Sequence, residues 1–398
     1  MKIIRRTSLI LLLMTSTFLF AFHLINNYVF EWSIARYKLI ELKKELTSDR
    51  EKFFVLFWTK FFDIPYWNMG NETNGPEYLD EINCPVNNCV FTHNKELIDP
   101  IYYYDAIVFH GAQSWGFMDL PAIRSTHQLY VFASQESPAE TKHNLVLDDE
   151  FYNLTMSYRL DSEILWSYAR IFDIQTGQFI APSKNANWQQ PERVEVTTTA
   201  TDKSLNSVFM KKSKEAAWMV SHCNVFSKRE DLVRKLQQYI DIDIYGKCGT
   251  LDCPREKTSE CIEKYKIYLS FENALCSDYV TEKLFDMMNN YILPVVFNGV
   301  GNMSHFLPPK SYINANDFSS VETLGMFLQN LMKNETEYLS YFWWKRYYKI
   351  DTKYINVHSF CDLCKRLNEN NVNQRVQYYK SISEWWTKGI CVNSRIKF

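Results

Sequence analysis

The stretch of sequence that decides the fold reads Tyr268-Leu-Ser-Phe-Glu-Asn-Ala-Leu-Cys-Ser-Asp-Tyr-Val-Thr-Glu-Lys283. Its aromatic first part predicts a buried strand, which ends at Phe271 and is followed by a carboxylate and an amide. A polar loop comes next, and residues 280–289 then show the apolar spacing of a helix. Polar side chains therefore gather where a strand ends and a helix begins.

The start of that helix predicts an anion site. Free backbone N–H groups and the positive end of the helix dipole favour an anion there, and Lys283 adds a full charge. A phosphate or a diphosphate is the natural ligand for such a site. The alternative is a structural cap, in which Thr281 caps the helix, Glu282 complements the dipole and Lys283 is solvated. The residues alone leave both interpretations open.

Elements on either side of this stretch predict a nucleotide-binding sheet. Residues 216–221 and 240–245 have the pattern of strands, residues 229–239 that of a helix, and residues 292–297 that of a further strand. Such an alternation of strand and helix is typical of sheets whose ligands lie at the carboxyl ends of the strands. We place this second domain at residues 206–350.

A first α/β domain is predicted over residues 53–205. Continuous apolar runs at residues 53–58, 105–110 and 128–134 have the character of buried strands, and the stretches between them are long enough for helices. The polar stretch 182–206 lacks an apolar period and is the candidate linker to the second domain. The predicted fold is therefore two Rossmann-like α/β domains, followed by a C-terminal segment over residues 351–398.

The N-terminus predicts the compartment. Residues 7–25 form an apolar run close to the ~20 residues that cross a bilayer, and basic side chains cluster in residues 1–6. The positive-inside rule then places residues 1–6 in the cytosol as a tail and everything after the span in the lumen. Residues 26–52 read as a short stem with helical spacing from residue 31. A cleaved signal peptide is the alternative.

Two further patterns indicate a lumenal body. Acceptor sequences for N-glycans occur at Asn71, Asn153, Asn302 and Asn334. The chain also has ten cysteines, an even number, which in an oxidising lumen indicate disulfides. A zinc site is the alternative, with four thiolates from Cys84, Cys89, Cys361 and Cys364.

The charge balance excludes a general affinity for nucleic acid. The chain has 44 basic and 46 acidic residues, a formal net charge of −2. Such a balance gives no long-range attraction to a polyanion. Any basic site must therefore be local.

The opening stretch, followed by Leu-Pro-Val-Val at residues 293–296, resembles the donor-binding signature of the α1,3-fucosyltransferases of glycosyltransferase family 10. The resemblance implies a GT-B-like fold, with two α/β domains facing across a cleft, and GDP-β-L-fucose as the donor. It places the donor in the second domain and the acceptor in the first. It implies donor-binding roles for Tyr268, Asn273, Tyr279, Glu282 and Lys283. Arg229 resembles the family's second diphosphate-binding cation, and a solvated arginine at a helix start is the alternative.

A second match concerns the general base. Gln135-Glu136-Ser137-Pro138 follows the predicted strand 128–134 and is similar to the family's Glu-Ser-Pro element. An inverting transfer needs a base to deprotonate the acceptor hydroxyl as it attacks, and the resemblance gives that role to Glu136. Without the resemblance, Glu136 is equally well a loop carboxylate that caps the next helix.

The resemblance extends from about residue 53 to residue 366 and has further implications. Similarly placed cysteines in relatives imply that Cys84 and Cys89 bond to Cys361 and Cys364. Cys276 is similar to that of invertebrate and plant-like members that act on N-glycans. The expected activity is therefore transfer of L-fucose to the 3-hydroxyl of GlcNAc in N-glycans, by a single-pass type II Golgi membrane protein. The alternatives are a transferase for another GDP-sugar and a silent glycan-binding protein.

A metal is not expected to be required. Asp241-Ile-Asp243 imitates a metal motif of another glycosyltransferase architecture, but isoleucines alternate with the two aspartates, so that a strand with one polar face is the simpler interpretation. Arg229 and Lys283 can offset the charge of the leaving diphosphate. Stimulation by manganese or another divalent cation stays open.

Overall fold

The computed structural model describes residues 52–67, 69, 73–74, 76–112, 120–141, 150–189, 207–369, 378–394 and 396–397, together with the backbone of residues 38–40. The predicted tail and membrane span, residues 1–25, lie outside this part, as does Asn71. Among the described helices, none combines the length and the apolar character needed to cross a bilayer.

The elements of the described part are numbered in chain order. The strands are β1 (Lys38–Ile40), β2 (Phe53–Phe57), β3 (Thr73–Asn74), β4 (Cys89–Thr92), β5 (Ala106–His110), β6 (Ile123–Ser125), β7 (Leu129–Ser134), β8 (Leu154–Ser157), β9 (Ile164–Leu165), β10 (Arg170–Asp173), β11 (Phe179–Ala181), β12 (Lys214–Met219), β13 (Ile242–Tyr245), β14 (Tyr265–Phe271), β15 (Leu293–Phe297), β16 (Ile313–Asn314) and β17 (Tyr348–Asp351). The helices are α1 (Pro76–Asp80), α2 (Arg229–Leu236), α3 (Thr258–Ile262), α4 (Glu282–Met288), α5 (Val321–Lys333), α6 (Glu335–Ser340), α7 (Ile355–Asn368) and α8 (Ile382–Thr387).

The first sheet has the order β3-β4-β2-β5-β7-β8-β9 within the described part. Its neighbours pair in parallel, except for β3, which runs antiparallel to β4. Every residue of β5 and of β7 is buried, as expected of central parallel strands that are covered on both faces. The apolar runs of the sequence are therefore strands because they fill two cores at once.

The second sheet has the order β13-β12-β14-β15-β16 in the described part, and all of its pairs are parallel. Strand β14 begins at Tyr265, three residues before the aromatic run that predicted it. This early part contains Lys266, whose charge interrupts the apolar pattern, so the sequence did not predict the start of the strand. Its Nζ donates to the carbonyl of Met332 at 2.7 Å, so that the charged end leaves the sheet.

A third sheet joins the two predicted domains. Strand β10 pairs antiparallel with both β11 and β17, so residues on either side of the predicted domain boundary share one sheet. The predicted linker, residues 182–206, lies mostly outside the described part. Of the predicted stem helix, only residues 38–40 are described. They form a strand, β1, which pairs with β6, so the helix prediction is wrong there.

The C-terminal segment returns to the first sheet. Helix α7 buries Phe360, whose ring lies 5.2 Å from that of Phe57, and α8 buries Trp386 at 5.2 Å from Phe132. The disulfides Cys84–Cys361 and Cys89–Cys364 fasten α7 to this sheet. The predicted pairing of these four cysteines is therefore confirmed, and the zinc alternative is wrong.

The six remaining cysteines, which sequence reasoning did not pair, form three further disulfides. These are Cys223–Cys248, Cys253–Cys261 and Cys276–Cys391. The last one joins the loop after β14 to the C-terminal segment. Both sheets are thus linked covalently to the end of the chain.

Candidate active site

A cleft of about 940 Å³ lies between the two large sheets. Residues from the carboxyl ends of β5 and β7 line one side, among them Ala112 and Glu136. Residues that follow β12, β13 and β14 line the other side, including His222, Gly246 and Asn273. We call these sides the acceptor wall and the donor wall. Their position is the one expected for ligands of parallel α/β sheets.

The start of α4 lies in the donor wall, and a buried carboxylate organises it. Glu272 is 1% exposed. Its Oε1 accepts a hydrogen bond of 2.9 Å from the backbone N–H of Thr281, and its Oε2 accepts one of 2.9 Å from the hydroxyl of that residue. Thr281 in turn caps α4 by accepting from the N–H of Lys283. The helix start is therefore fixed by the end of β14.

Lys283 belongs to the same network. Its Nζ donates to the Thr281 hydroxyl at 3.0 Å, and it lies 3.5 Å from Glu272 Oε2 and 3.2 Å from Glu282 Oε1. The cap of the structural alternative therefore exists, but the lysine is not simply solvated, since its side chain is only 26% exposed. It stands at the cleft with its ammonium group held in place.

Opposing effects act on the charges at this helix start. Burial raises the pKa of Glu272, and the charge of Lys283 counteracts that rise. Burial works to lower the pKa of Lys283, but the carboxylates of Glu272 and Glu282 outweigh it, so that this pKa is raised. Lys283 therefore remains an ammonium ion at neutral pH and can meet an anion in the cleft.

Arg229 supplies the second cation of the donor wall. It opens α2 and is 2% exposed, so the alternative of a solvated arginine is wrong. Its Nη1 donates to the carbonyl of Phe271 at 2.7 Å, and its Nη2 donates to that of His222 at 2.6 Å. The guanidinium thus joins the carboxyl ends of β12 and β14. Burial lowers its pKa, with the charge of Glu230 opposing that change.

Three more predicted donor residues line the same wall. Tyr268 and Tyr279 are almost fully buried, and Asn273 is 7% exposed. The amide oxygen of Asn273 has no hydrogen-bond partner among the described residues, although it is buried. Buried polar atoms without a partner are rare in folded proteins and often face a ligand. All six predicted donor-binding residues, including Glu282, therefore lie together at the cleft.

Glu136 stands on the acceptor wall and meets the donor wall. The hydroxyl of Tyr279 donates to its Oε2 at 3.3 Å. Burial raises the pKa of Glu136, and the positive charge of Lys283 counteracts the rise. Next to it, the backbone carbonyl of Gln135 accepts a hydrogen bond of 2.7 Å from the hydroxyl of Tyr168, which also lines the cleft. The carboxylate is thus fixed close to the predicted diphosphate site.

The acceptor wall also exposes an aromatic ring. Phe62 is 51% exposed and has a φ of 53°, a conformation that a bulky side chain rarely adopts. Its ring packs edge-on against the rings of Phe61, at 4.9 Å between centroids, and His110, at 5.2 Å. His110 is 1% exposed, and burial lowers its pKa to about 4. A layer of neutral rings therefore supports Phe62 at the cleft.

Sequence reasoning missed several residues that line the cleft or support it from below. Glu272 is part of residues 268–283, but the sequence pattern predicted no role for it. Its position directly after a strand was the available signal. Asp286 and Asn290 lie three and seven positions after Lys283, a helical spacing that puts them on one face. Phe62 and Tyr168 gave no signal in the sequence, because only folding brings them to the cleft.

The predicted glycosylation sites differ in exposure. Asn302 and Asn334 are exposed, and each caps a helix with its side-chain oxygen. Asn153 is 5% exposed, and its side-chain oxygen accepts from the backbone N–H of Tyr130 at 2.7 Å and from Arg124. These bonds use the side-chain oxygen, whereas an N-glycan would bond to the side-chain nitrogen of this residue. Glycosylation of Asn153 stays a prediction, at a side chain that is buried in the folded chain.

The Asp-x-Asp sequence lies away from the cleft. It is part of the edge of the second sheet, where β13 begins at Ile242, so the interpretation as a strand is confirmed. Asp243 accepts hydrogen bonds from Lys214 and from the hydroxyl of Tyr265. In the described ranges, no group of three or more His, Cys, Asp and Glu side chains is arranged to hold a metal ion.

Comparisons with known proteins agree with this geometry. Residues 50–169 match a family model described as "Fucosyltransferase, N-terminal", and residues 209–385 match one described as "Glycosyltransferase family 10 (fucosyltransferase) C-term". The chain is 42% identical over 349 residues to α-(1,3)-fucosyltransferase C of Drosophila melanogaster, which covers 86% of this chain and 80% of that protein. It is 34% identical over 310 residues to α-(1,3)-fucosyltransferase fut-1 of Caenorhabditis elegans. This alignment covers 75% of this chain and 64% of that protein.

A crystal structure titled as an α1,3-fucosyltransferase with GDP-fucose covers 88% of this chain and 97% of its own, with a TM-score of 0.48 and 14% identity. From the two family models and the identity to the Drosophila protein, the chain belongs to glycosyltransferase family 10 and is a fucosyltransferase.

Proposed function

We propose that this enzyme transfers L-fucose from GDP-β-L-fucose to the 3-hydroxyl of GlcNAc in N-glycans, with inversion, and forms an α1,3 linkage. The observation that carries this proposal is the contact between the two walls. Tyr279 of the donor wall donates to Glu136 of the acceptor wall at 3.3 Å, in the cleft that Arg229 and Lys283 also line. A carboxylate and two cations therefore share one site.

The carboxylate supplies the base. As the acceptor's 3-hydroxyl oxygen attacks C1 of fucose, Glu136 takes the hydroxyl proton. The bond between C1 and the oxygen of the β-phosphate breaks on the opposite face, and that oxygen leaves with the electron pair as part of GDP. The β linkage of the donor thereby becomes an α linkage in the product. The raised pKa of Glu136 makes this carboxylate a stronger base than an exposed one.

The two cations stabilise the leaving group. Negative charge grows on the diphosphate as the bond to fucose breaks, and Lys283 and Arg229 are already in place to meet it. Groups that are fixed beforehand stabilise such charge without a cost of reorganisation during the reaction. The backbone N–H groups at the start of α4 add to the same positive field.

These cations are the basis for a second part of the proposal, that no metal ion is required. Manganese or another divalent cation would then stimulate at most. Transfer that persists in excess EDTA is the expected result. Loss of transfer in EDTA, restored by Mn²⁺, would overturn this part.

The compartment is also part of the proposal. We infer a Golgi membrane protein of the single-pass type II kind, with the body in the lumen. The basic residues 1–6, the apolar run 7–25 and the pairing of all ten cysteines in disulfides support this placement. Protease protection of the body in sealed Golgi vesicles would test it, and digestion from the cytosolic side would contradict it.

The activity itself is tested with defined acceptors. The full chain, solubilised in detergent, is incubated with GDP-fucose and with N-glycans that carry either the core GlcNAc pair alone or antennal GlcNAc as well. The expected result is a fucosylated product whose linkage analysis shows α1,3 attachment to GlcNAc. Transfer to none of these glycans, or a product with another linkage, would contradict the proposal.

A further inference from the structure

One face of helix α4 lines the cleft beyond the diphosphate site. Lys283, Asp286 and Met287 have the spacing of residues that share a helix face, and Asn290 continues it just past the helix end. Each residue advances a helix by about 1.5 Å, so that the backbone of Asp286 lies about 4.5 Å further along the axis than that of Lys283. The cleft therefore has an arm that leads away from the helix start.

The opposite side of this arm is a loop over residues 253–261 that the disulfide Cys253–Cys261 closes and whose last part is the start of α3. Its Arg255 and Ser259 line the cleft. The loop packs on the same face of the second sheet as Met287, with Tyr268 in the same cluster. The arm is thus a groove between the loop and α4, and the mostly apolar side chains of the sheet form its floor.

The direction of the donor follows from the position of the base. Glu136 must lie beside fucose, and it contacts Tyr279 close to the start of α4. The diphosphate lies between fucose and the nucleoside in any GDP-sugar. With the diphosphate at Lys283 and Arg229, the nucleoside must therefore extend into the groove that Asp286 and Arg255 line.

Asp286 gives this groove a carboxylate. The side chain is partly buried, and burial raises its pKa, as does the charge of Glu282, whereas a hydrogen bond from Thr352 and the charge of Arg255 lower it. Guanine presents two neighbouring donors, N1–H and the 2-amino group, which a carboxylate can accept side by side. Adenine, cytosine and uracil lack this pair of donors.

We propose that Asp286 is the residue that selects guanine in the donor, by accepting hydrogen bonds from N1–H and the 2-amino group, with Arg255 facing the base from the loop. This assignment rests on the proposed use of GDP-fucose. It gives α4 two tasks along one face, with the diphosphate held by its first turn and the base read by its second turn.

Calorimetric titration with GDP and with inosine 5′-diphosphate, which lacks the 2-amino group, tests this assignment. The full wild-type chain in detergent should bind GDP about tenfold or more tightly than inosine diphosphate, because inosine lacks one of the two donors that would bond to the charged carboxylate. In Asp286→Asn, whose amide can still accept one bond, the preference for GDP should fall at least about fivefold, mostly through weaker GDP binding. Asp231→Asn, an exposed change on α2 outside the cleft, is the matched control and should keep the wild-type preference.

The outcomes separate this assignment from its alternatives. An unchanged GDP preference in Asp286→Asn overturns it, whether or not both affinities fall together. A change confined to the ratio between GDP and 2′-deoxy-GDP places the carboxylate on the ribose and also overturns it. If the wild type transfers fucose and the variant keeps its preference for GDP over inosine diphosphate, the proposed function stands and only the assignment of Asp286 fails. Failure of the wild type to bind GDP at all overturns both.

Discussion

The donor wall and the acceptor wall differ in the burial and the charge of their side chains. The donor wall has charged groups that are almost fully buried and tied to the ends of strands, with Arg229 at 2% and Glu272 at 1% exposure. The acceptor wall presents a half-exposed phenylalanine, Phe62, and the carboxylates of Glu136 and Glu140. The donor wall is therefore prepared for one fixed anion, whereas the acceptor wall offers apolar surface beside a base. The difference teaches that affinity for the donor and activation of the acceptor can be changed separately.

The largest effect is expected from Glu136→Gln, which removes the base and keeps the size of the side chain. The rate of fucosyl transfer should fall about 10²- to 10⁴-fold, the usual contribution of general base catalysis. Turnover with saturating GDP-fucose and N-glycan acceptor measures this fall. A variant that retains more than a tenth of the wild-type turnover would remove Glu136 from the role of base.

Lys283→Ala should act on the other wall. It removes an ammonium group from the diphosphate site and leaves the buried Glu272 without its cation, which lies 3.5 Å away. Truncation of one member of a charge pair between protein and ligand costs about 2–5 kcal/mol, so that loss of the pair between Lys283 and the diphosphate should lower the affinity for GDP about 30-fold or more. Calorimetric titration with GDP gives the value, and Lys283→Arg is the control that keeps the charge and should recover part of the loss.

The pH dependence of kcat/KM should report the base. Burial raises the pKa of Glu136 above its ordinary value of 4.5. The base works only when it is deprotonated, so the rate should fall about tenfold per pH unit below that raised pKa. The acid limb should therefore lie above pH 4.5 and should be missing from the residual activity of Glu136→Gln. A limb that persists unchanged in this variant would belong to another group.

The smallest effect is expected from Phe62→Ala. Loss of its exposed ring should raise the KM for the N-glycan acceptor about 3- to 10-fold, since contact with about 25–55 Å² of apolar surface contributes roughly 0.6–1.4 kcal/mol. The KM for GDP-fucose should not change. Phe226→Ala is the matched control, because that ring is 72% exposed and does not line the cleft. Equal effects on both substrates would contradict the division between the walls.

The two walls also differ in how much of them could be predicted. Five of the six predicted donor-binding residues lie in one continuous stretch, residues 268–283, in which strand, loop and helix start follow one another, so that local physics indicates the anion site. The acceptor wall is assembled from Phe62, His110, Glu136 and Tyr168. These residues are brought together by the register of parallel strands, which no local pattern contains.

Local sequence patterns also failed to predict which polar side chains are buried. Arg229 has the sequence context of a solvated helix start, and only the carbonyls of Phe271 and His222 show that it is enclosed. Asn153 has a complete acceptor sequence for a glycan, yet its side chain is buried, and its oxygen accepts a hydrogen bond from the N–H of Tyr130. In both cases the deciding partner comes from another segment of the chain.

The affinity of Glu136→Gln for GDP-fucose tests the division between the walls most directly. If the donor is held by Arg229, Lys283 and their neighbours alone, calorimetric titration should give a dissociation constant within about twofold of the wild-type value, a difference of roughly 0.4 kcal/mol. The same preparation should have lost transfer. A dissociation constant tenfold or more above that of the wild type would show that Glu136 holds the donor, and would contradict the assignment of base and donor site to opposite walls.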